Sequence, residues 1–132
     1  MTEVVRLQPD GIAKPSGVWS PVVMVKNPGS LVFLSGFTSR DENGNVYGVG
    51  DIKAQTRRVC ELLELSMKAA GGTLADIMRV DVYVRDIKQF AAIHEVRKQF
   101  FPNNPPTSTM VEVSSMVDER SLIEMNAIAV LP

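Results

Sequence analysis

The sequence predicts one α+β domain in which a β-sheet is covered on one face by two helices. The 132 residues suit a single domain of ordinary size. Apolar residues make up 45% of the chain and charged residues 22%, which is typical of a folded globular protein. Two apolar stripes at helical spacing are interspersed with short β-rich runs, and no linker divides them. We therefore assign residues 1–132 to one domain.

The first half of the chain predicts three strands followed by a long helix. The β-rich runs are residues 4–7, 22–25 and 31–37. The last two runs are separated by Asn27-Pro28-Gly29, a turn signal. Asp51 is a suitable N-cap for a helix that runs to about Ala70, where Gly71 ends it.

The second half predicts a strand, a helix and two closing strands. Residues 78–84 alternate apolar and polar side chains, as in a half-buried strand. Asp86 can cap a second helix, and Pro102 ends it. The closing strands are residues 107–113 and 122–131. The predicted order is therefore β-β-β-α-β-α-β-β.

The last strand is apolar on both faces, which two helices on one face cannot cover. One face carries Ile123, Met125, Ala127 and Ala129. The other face carries Leu122, Ile128 and Val130 around Glu124 and Asn126. Strands with this pattern occur where both sides of a sheet are covered. We infer that another subunit covers the second face and expect an obligate oligomer.

Charge and residue counts exclude several classes of function. The net charge is −1 without any Lys/Arg-rich run, so we expect no nucleic-acid partner. One cysteine, Cys60, and one histidine, His94, allow neither an intrachain disulfide nor a typical zinc site, and we expect no metal or other cofactor. Neither a signal pattern nor a membrane span is apparent, so we expect a cytoplasmic protein with a buried, inert Cys60.

Six short motifs, in their order and spacing, are similar to those of a known family. They are residues 32–36 (VFLSG), 51–57 (DIKAQTR), 69–72 (AAGG), 82–86 (VYVRD), 111–113 (VEV) and 123–129 (IEMNAIA). On these motifs the chain resembles the RidA/YjgF family of reactive-intermediate deaminases over nearly its whole length. The resemblance implies a chorismate-mutase-like fold and a homotrimer whose three sheets form a central barrel. This agrees with strands that are apolar on both faces.

The resemblance also implies a ligand cleft between subunits. In the family's deaminases, an Arg in a Pro-Ala-Arg-Ser segment binds the carboxylate of a small imino or keto acid. A Glu on the last strand positions the water that hydrolyses an imine to a ketone and ammonia. The Glu corresponds to Glu124, which the resemblance makes the catalytic candidate. Ser108 stands where the Arg is expected.

Other positions of the expected cleft depart from the family pattern in a consistent direction. Trp19 replaces a Tyr, Phe37 replaces a Gln and Met110 replaces a Cys. His94 replaces an Asn, and Arg97 replaces a Tyr three residues later. A serine hydroxyl cannot reproduce the two parallel hydrogen bonds of Arg to a carboxylate, and losing them removes ~1.5–3 kcal/mol. The substitutions together predict a less cationic, more apolar or aromatic pocket that binds small imino acids poorly.

Each candidate residue also has a structural interpretation. Glu124 could lie at a solvated end of the barrel or pair with a neighbouring subunit's cation, and His94 could be a hydrogen-bonded structural residue. Trp19 could pack at the subunit interface or stack on a ligand. Gly36 allows close approach of either a ligand or a packed neighbour. Ser108 lacks a base that would make it a nucleophile.

A positive charge could still reach the cleft from elsewhere in the chain. Arg40 is one candidate, although it could instead pair on the surface with Asp41 or Glu42. Arg97 is the other. The sequence leaves open which of them, if either, replaces the missing Arg.

Two function hypotheses follow, and a third is disfavoured. The first is an enzyme that hydrolyses an imine- or enamine-like small molecule at a C–N bond, with Glu124 activating water. Ordinary 2-imino-acid deaminase activity is expected to be weak or absent. The alternative is a non-catalytic trimer that binds a small molecule or a protein. Ribonuclease activity, attributed to relatives, is disfavoured by the absence of a basic patch and by the lone histidine.

Overall fold

The computed structural model describes residues 1–132 and has the predicted order of elements. The strands are β1 (Glu3–Leu7), β2 (Val22–Lys26), β3 (Leu31–Thr38), β4 (Ile77–Val84), β5 (Thr107–Glu112) and β6 (Ile123–Val130). The helices are α1 (Ile52–Ala70) and α2 (Phe90–Phe100). The predicted α+β class and the β-β-β-α-β-α-β-β order are confirmed.

The strands form two sheets and not one continuous sheet. β1 and β2 form an antiparallel pair, and the other four strands are ordered β3-β6-β4-β5, with only β4 and β5 parallel. The break falls at the predicted turn, where Asn27 has a φ of 51° and Pro28 has no amide hydrogen. The chain therefore leaves β2 without pairing it to β3. β5 is left as an edge strand of the larger sheet.

The helix ends follow the predicted capping, with one difference. The Asp51 side chain accepts a hydrogen bond from the Ala54 amide at the start of α1. Gly71, with a φ of 88°, ends the helix in the left-handed conformation that glycine adopts without a Cβ clash. Asp86 caps a single 3-10 turn, Ile87–Gln89, that leads directly into α2. The second helix is therefore tighter in its first turn than the sequence predicted.

A hydrophobic core fills the space between the two helices and one face of the four-stranded sheet. The side chains that project from β6 towards the helices are buried, as predicted; they are Ile123, Met125, Ala127 and Ala129. Val59 and Leu63 of α1 and Ile93 of α2 meet them from the helical side and are fully buried. No helix of the chain is both long and apolar enough to cross a membrane.

The opposite face of the four-stranded sheet, which we call the open face, carries exposed apolar side chains. The exposed fractions are 71% for Phe33, 58% for Leu31, 43% for Val111 and 38% for Ile128. Our expectation for β6 was only partly correct. Val130 is buried within the chain, and Leu122 packs against the core. Ile128 is the β6 aliphatic that remains exposed, and β3 and β5 supply the rest of the apolar surface.

Two leucines of α1 give a matched test of this packing. Leu63 is fully buried, whereas Leu65 is 56% exposed. We expect Leu63→Ala to lower the free energy of unfolding by about 2–5 kcal/mol, because it leaves a cavity in the core. Leu65→Ala should change it by less than about 0.5 kcal/mol. Urea unfolding at one fixed protein concentration measures both, and equal losses would contradict the assignment of the buried face of α1.

Candidate functional site

Glu124 lies beside a bulge in β3, and Gly36 makes room for its carboxylate. β3 and β6 pair in register up to Leu34 opposite Ala127, and pairing resumes with Phe37 opposite Met125. The extra residue in β3 places Gly36 against the Glu124 side chain. A Cβ at position 36 would overlap the Oε2 atom of Glu124. A side chain at position 36 would therefore displace the carboxylate from this place.

Glu124 and Gly36 line a cleft of about 340 Å³ on the open face of the sheet. Tyr83 lies next to Glu124 across the β4–β6 pairing, and Asn126 follows two residues along the same face. Part of the segment 113–117 forms the opposite wall. The Glu124 carboxylate forms no ion pair with a Lys or Arg of the chain. It is thus an available proton acceptor in a partly apolar cleft.

A buried arginine forms the centre of a second group of residues, on the helical side of the sheet. Arg97 of α2 is only 1% exposed, and burial lowers its pKa to about 10. Its Nη2 atom donates to the Ser108 hydroxyl over 3.1 Å and to the Val18 carbonyl over 3.2 Å. Its Nε atom has no hydrogen-bond partner. No carboxylate pairs with this guanidinium.

His94 lies one helical turn before Arg97 and packs against the loop that precedes β2. Its ring meets Phe90 edge-on, with 5.6 Å between ring centroids. A Cβ on Gly17 would lie 3.0 Å from its Nε2 atom, and its buried Nδ1 atom has no hydrogen-bond partner. Burial lowers the pKa of His94, and the positive charges of Arg97 and Lys98 lower it further. The imidazole is therefore held in its neutral form.

Trp19 lies half-buried on the same loop, which is attached to the start of β5. The Ser20 amide donates to the Pro106 carbonyl over 3.0 Å, and the Ser20 hydroxyl donates to the Pro105 carbonyl. Together with the bond from Arg97 to Val18, these contacts hold Trp19 near the β5 end of the sheet. The loop and α2 thus approach β5 from the same side.

The sequence-predicted site residues fall into two groups on opposite faces of the sheet. Glu124 and Gly36 lie together on the open face. The residues on or near the helical side are Trp19, His94, Ser108 and Met110. Phe37 also packs against the core, since it pairs with buried Met125. A single chain does not bring the two groups into one pocket.

Sequence reasoning underestimated Arg97 and misassigned the contacts of Arg40. Arg97 follows the core residue Ile93 by four positions, so helical spacing alone places it on the buried face of α2. Arg40 donates to the Gly44 carbonyl over 2.8 Å and has its ion pair with Asp118, at 4.0 Å. The expected pairing of Arg40 with Asp41 or Glu42 is therefore wrong. Asp41 instead accepts backbone amides within its own turn.

Metal and thiol chemistry have little support in the chain. No three His, Cys, Asp or Glu side chains lie close enough to form a metal site. Cys60 is buried in α1, as predicted, and burial raises the pKa of its thiol to about 12. It is therefore protonated at neutral pH and a poor nucleophile.

The fold and the cleft define a class of protein: a small α+β domain that carries an unpaired carboxylate on the open face of a mixed sheet. The family model described as Endoribonuclease L-PSP matches residues 11–131. The chain belongs to this family, which is the RidA/YjgF family.

Individual relatives agree with the family assignment. The chain is 34% identical over 121 residues to the 3-aminoacrylate deaminase RutC of Acinetobacter baylyi, covering 92% of this chain and 93% of that protein. It is similar to the crystal structure of the conserved Rid-family protein YyfB of Yersinia pestis, whose function is unknown, with a TM-score of 0.87 and 26% identity over 97% and 98% of the two chains. It is also similar to E. coli TdcF with bound serine, with a TM-score of 0.72 and 32% identity over 88% and 92%.

The single histidine offers a direct check of its surroundings. Because burial and two nearby cations disfavour the imidazolium, we expect the His94 pKa in the folded protein to lie below its ordinary 6.5. The unfolded chain then takes up a proton at higher pH than the folded one. Stability should therefore fall as the pH drops through 6.5 and level off below the folded pKa.

The measurement is an NMR titration of the one imidazole, with urea unfolding of wild type and His94→Gln across the same pH range. The variant should lose less stability on acidification, since it lacks the group that titrates. A folded-state midpoint at or above 6.5 would contradict the packing of His94 against Phe90 and the Gly17 loop.

Proposed function

We propose that the chain hydrolyses an imine- or enamine-like small molecule, with Glu124 activating water. The single observation that carries this proposal is the unpaired Glu124 carboxylate in a cleft of ligand size. Glu124 accepts a proton from water as the water oxygen bonds to the imine carbon. Glu124 returns this proton to the nitrogen, which gives a carbinolamine. It then carries the hydroxyl proton of the carbinolamine to the nitrogen as the C–N bond breaks, which releases ammonia and a carbonyl product. An enamine enters the same route after a proton moves from its nitrogen to its β-carbon, which gives the imine.

The proposal requires a second copy of the chain. The open face carries Phe33, Leu31 and Ile128, which a neighbouring subunit would remove from water. The two groups of site residues lie on opposite faces of one sheet, so they can meet only across a boundary between copies. β5 is an edge strand and carries Ser108. A homotrimer around a central barrel, with Ser108 of one subunit facing Glu124 of the next, satisfies all of these conditions.

Two relatives support the reaction class and the size of the ligand. A protein 34% identical to this chain is described as a 3-aminoacrylate deaminase, and 3-aminoacrylate is an enamine. A structural relative contains bound serine. Both ligands are small and polar, and a cleft of about 340 Å³ accommodates molecules of that size.

The residue at position 108 shapes the proposed substrate range. Ser108 in place of a cleft arginine removes a two-point contact to a carboxylate, which lowers affinity by roughly ten- to two-hundred-fold. Trp19 and Met110 make the same side of the cleft aromatic and apolar. We therefore propose weak or absent activity on ordinary 2-imino acids and a preference for a flatter or more neutral substrate.

A non-catalytic trimer that binds a small molecule or a protein is the second candidate function. Ser108 favours this candidate. A subunit without the arginine that binds the substrate carboxylate could still bind a ligand in the cleft without hydrolysing it. Ligands found by thermal shift that bind equally to wild type and Glu124→Gln, without any turnover, would favour this candidate. Ribonuclease activity is disfavoured, because a net charge of −1 without a basic patch gives little attraction for RNA.

Ammonia release tests the enzymatic proposal. Freshly generated 2-iminopropanoate should be hydrolysed slowly or not at all, whereas neutral imines of similar size should be hydrolysed faster than in buffer. Glu124→Gln should lower the accelerated rate by about 100-fold or more, because the variant cannot accept a proton from water. Glu64→Gln, at an exposed position of α1, is the matched control and should retain full activity. The absence of acceleration across a panel of imines would remove the enzymatic proposal.

Sedimentation tests the oligomer. Wild type should sediment at three times the chain mass of 14.5 kDa. Phe33→Glu should shift it towards monomer, because a charge would replace the most exposed aromatic side chain of the open face. Phe90→Glu is the control, at a 51% exposed phenylalanine on α2, and should leave the trimer intact. A stable monomeric wild type would remove the inter-subunit cleft.

A further inference from the structure

The hydrogen bond between Arg97 and Ser108 fixes the direction of the serine hydroxyl. A guanidinium has only donors, so Ser108 Oγ must be the acceptor of this 3.1 Å bond. The single hydroxyl proton of Ser108 must therefore point away from Arg97. No atom of the same chain accepts it, since Ser108 enters the side-chain hydrogen bonds of the chain only as an acceptor. The hydroxyl is thus a free donor with a cation directly behind it.

The position of Ser108 leaves this donor open to a ligand. Ser108 is half-buried on β5, the edge strand of the sheet, so no further strand of the chain lies beside it. Its side chain lies on the same side as the loop that carries Trp19 and as Met110. A molecule held at this edge would find one hydroxyl donor among aromatic and apolar groups.

Arg97 itself cannot swing out to bind a carboxylate in the usual two-point manner. It is 1% exposed, and its Nη2 atom is also bonded to the Val18 carbonyl. Its charge is compensated by no acidic side chain, and burial strengthens its field at the neighbouring hydroxyl. The guanidinium therefore acts through Ser108, whose O–H becomes a stronger donor than an ordinary serine.

We propose that Ser108 is a specificity-determining residue that donates one hydrogen bond to a single acceptor oxygen of the substrate, and that Arg97 is the positioning residue that orients and polarises it. The inference rests on the proposed function and narrows its substrate class to imines and enamines with an amide or other neutral carbonyl next to the reacting carbon. A carboxylate at this edge would satisfy one oxygen and leave the other desolvated without a donor, which is unfavourable.

Binding of two stable carbonyl compounds tests the inference without turnover. Pyruvamide offers one neutral carbonyl acceptor beside its keto group, and pyruvate offers a carboxylate. Calorimetry on the wild-type protein should give tighter binding of pyruvamide than of pyruvate. Ser108→Ala should weaken pyruvamide binding by roughly ten-fold, the size expected for one lost charge-assisted hydrogen bond. Ser66→Ala, which removes a hydroxyl that bonds within α1, is the control and should leave binding unchanged.

A double-mutant cycle separates the positioning role of Arg97 from a structural one. Arg97→Met should weaken pyruvamide binding about as much as Ser108→Ala, and the double variant should lose no more than either alone. Arg97→Lys, which retains a cationic N–H donor, should recover most of the affinity. If Arg97 has only a structural role, Arg97→Met should weaken pyruvamide binding by the same factor whether residue 108 is serine or alanine. Should Arg97→Met fail to fold, Arg97→Lys supplies the comparison: a loss of pyruvamide affinity as large as that of Ser108→Ala would contradict the positioning role.

The outcomes also distinguish this inference from the proposed function. Unchanged pyruvamide binding in Ser108→Ala, tighter wild-type binding of pyruvate, additive losses in the cycle, or no binding of pyruvamide at millimolar concentration would each overturn it. Glu124→Gln should keep the preference for pyruvamide while losing ammonia release. If ammonia release depends on Glu124 but the protein does not bind pyruvamide more tightly than pyruvate, the enzymatic proposal is retained and the proposed role of Ser108 is wrong.

Discussion

Along β6, successive side chains point to opposite faces of the sheet, and this alternation is the constraint on which the rest of the structure depends. β6 pairs with β3 on one side and β4 on the other, so its register is fixed from both edges. Burial of Ile123 and Met125 against the helices forces the residue between them, Glu124, onto the opposite face. A slip of one residue would bury the carboxylate in the core. The core and the candidate site are thus two consequences of one register.

The bulge at Gly36 makes space for the Glu124 carboxylate next to β3. Regular pairing continued from Leu34 opposite Ala127 would place Phe37 opposite Glu124, whereas the bulge places Thr38 there. One extra residue in β3, and the absence of a Cβ at position 36, let the carboxylate lie against the backbone. The carboxylate consequently lies against Gly36, and no Lys or Arg of the chain pairs with it. This arrangement suits a group that must exchange protons with a ligand or water.

On the helical face of the sheet, the charged group near the expected cleft is an arginine, and it is almost fully buried. Arg97 is buried beneath Ser108 without an anion, a placement that costs free energy unless hydrogen bonds compensate. Its bonds to Val18 and Ser108 supply part of that compensation and tie α2, the Trp19 loop and β5 together. The cation thereby stiffens one wall of the expected cleft. It also orients the hydroxyl of Ser108 at that wall.

The sequence by itself determined the order of the elements, their capping residues and the helix-facing side of β6, because these depend on local periodicity and on residues close together in the chain. It also indicated Glu124 and Gly36 as neighbours of a site through their motifs. Only the tertiary structure decided that Val130 is buried within the chain, that Leu122 packs against the core, that Arg40 pairs with Asp118, and that Arg97 reaches Ser108. These contacts join residues far apart in the chain or on different elements, and no local pattern encodes how a helix and a strand edge meet.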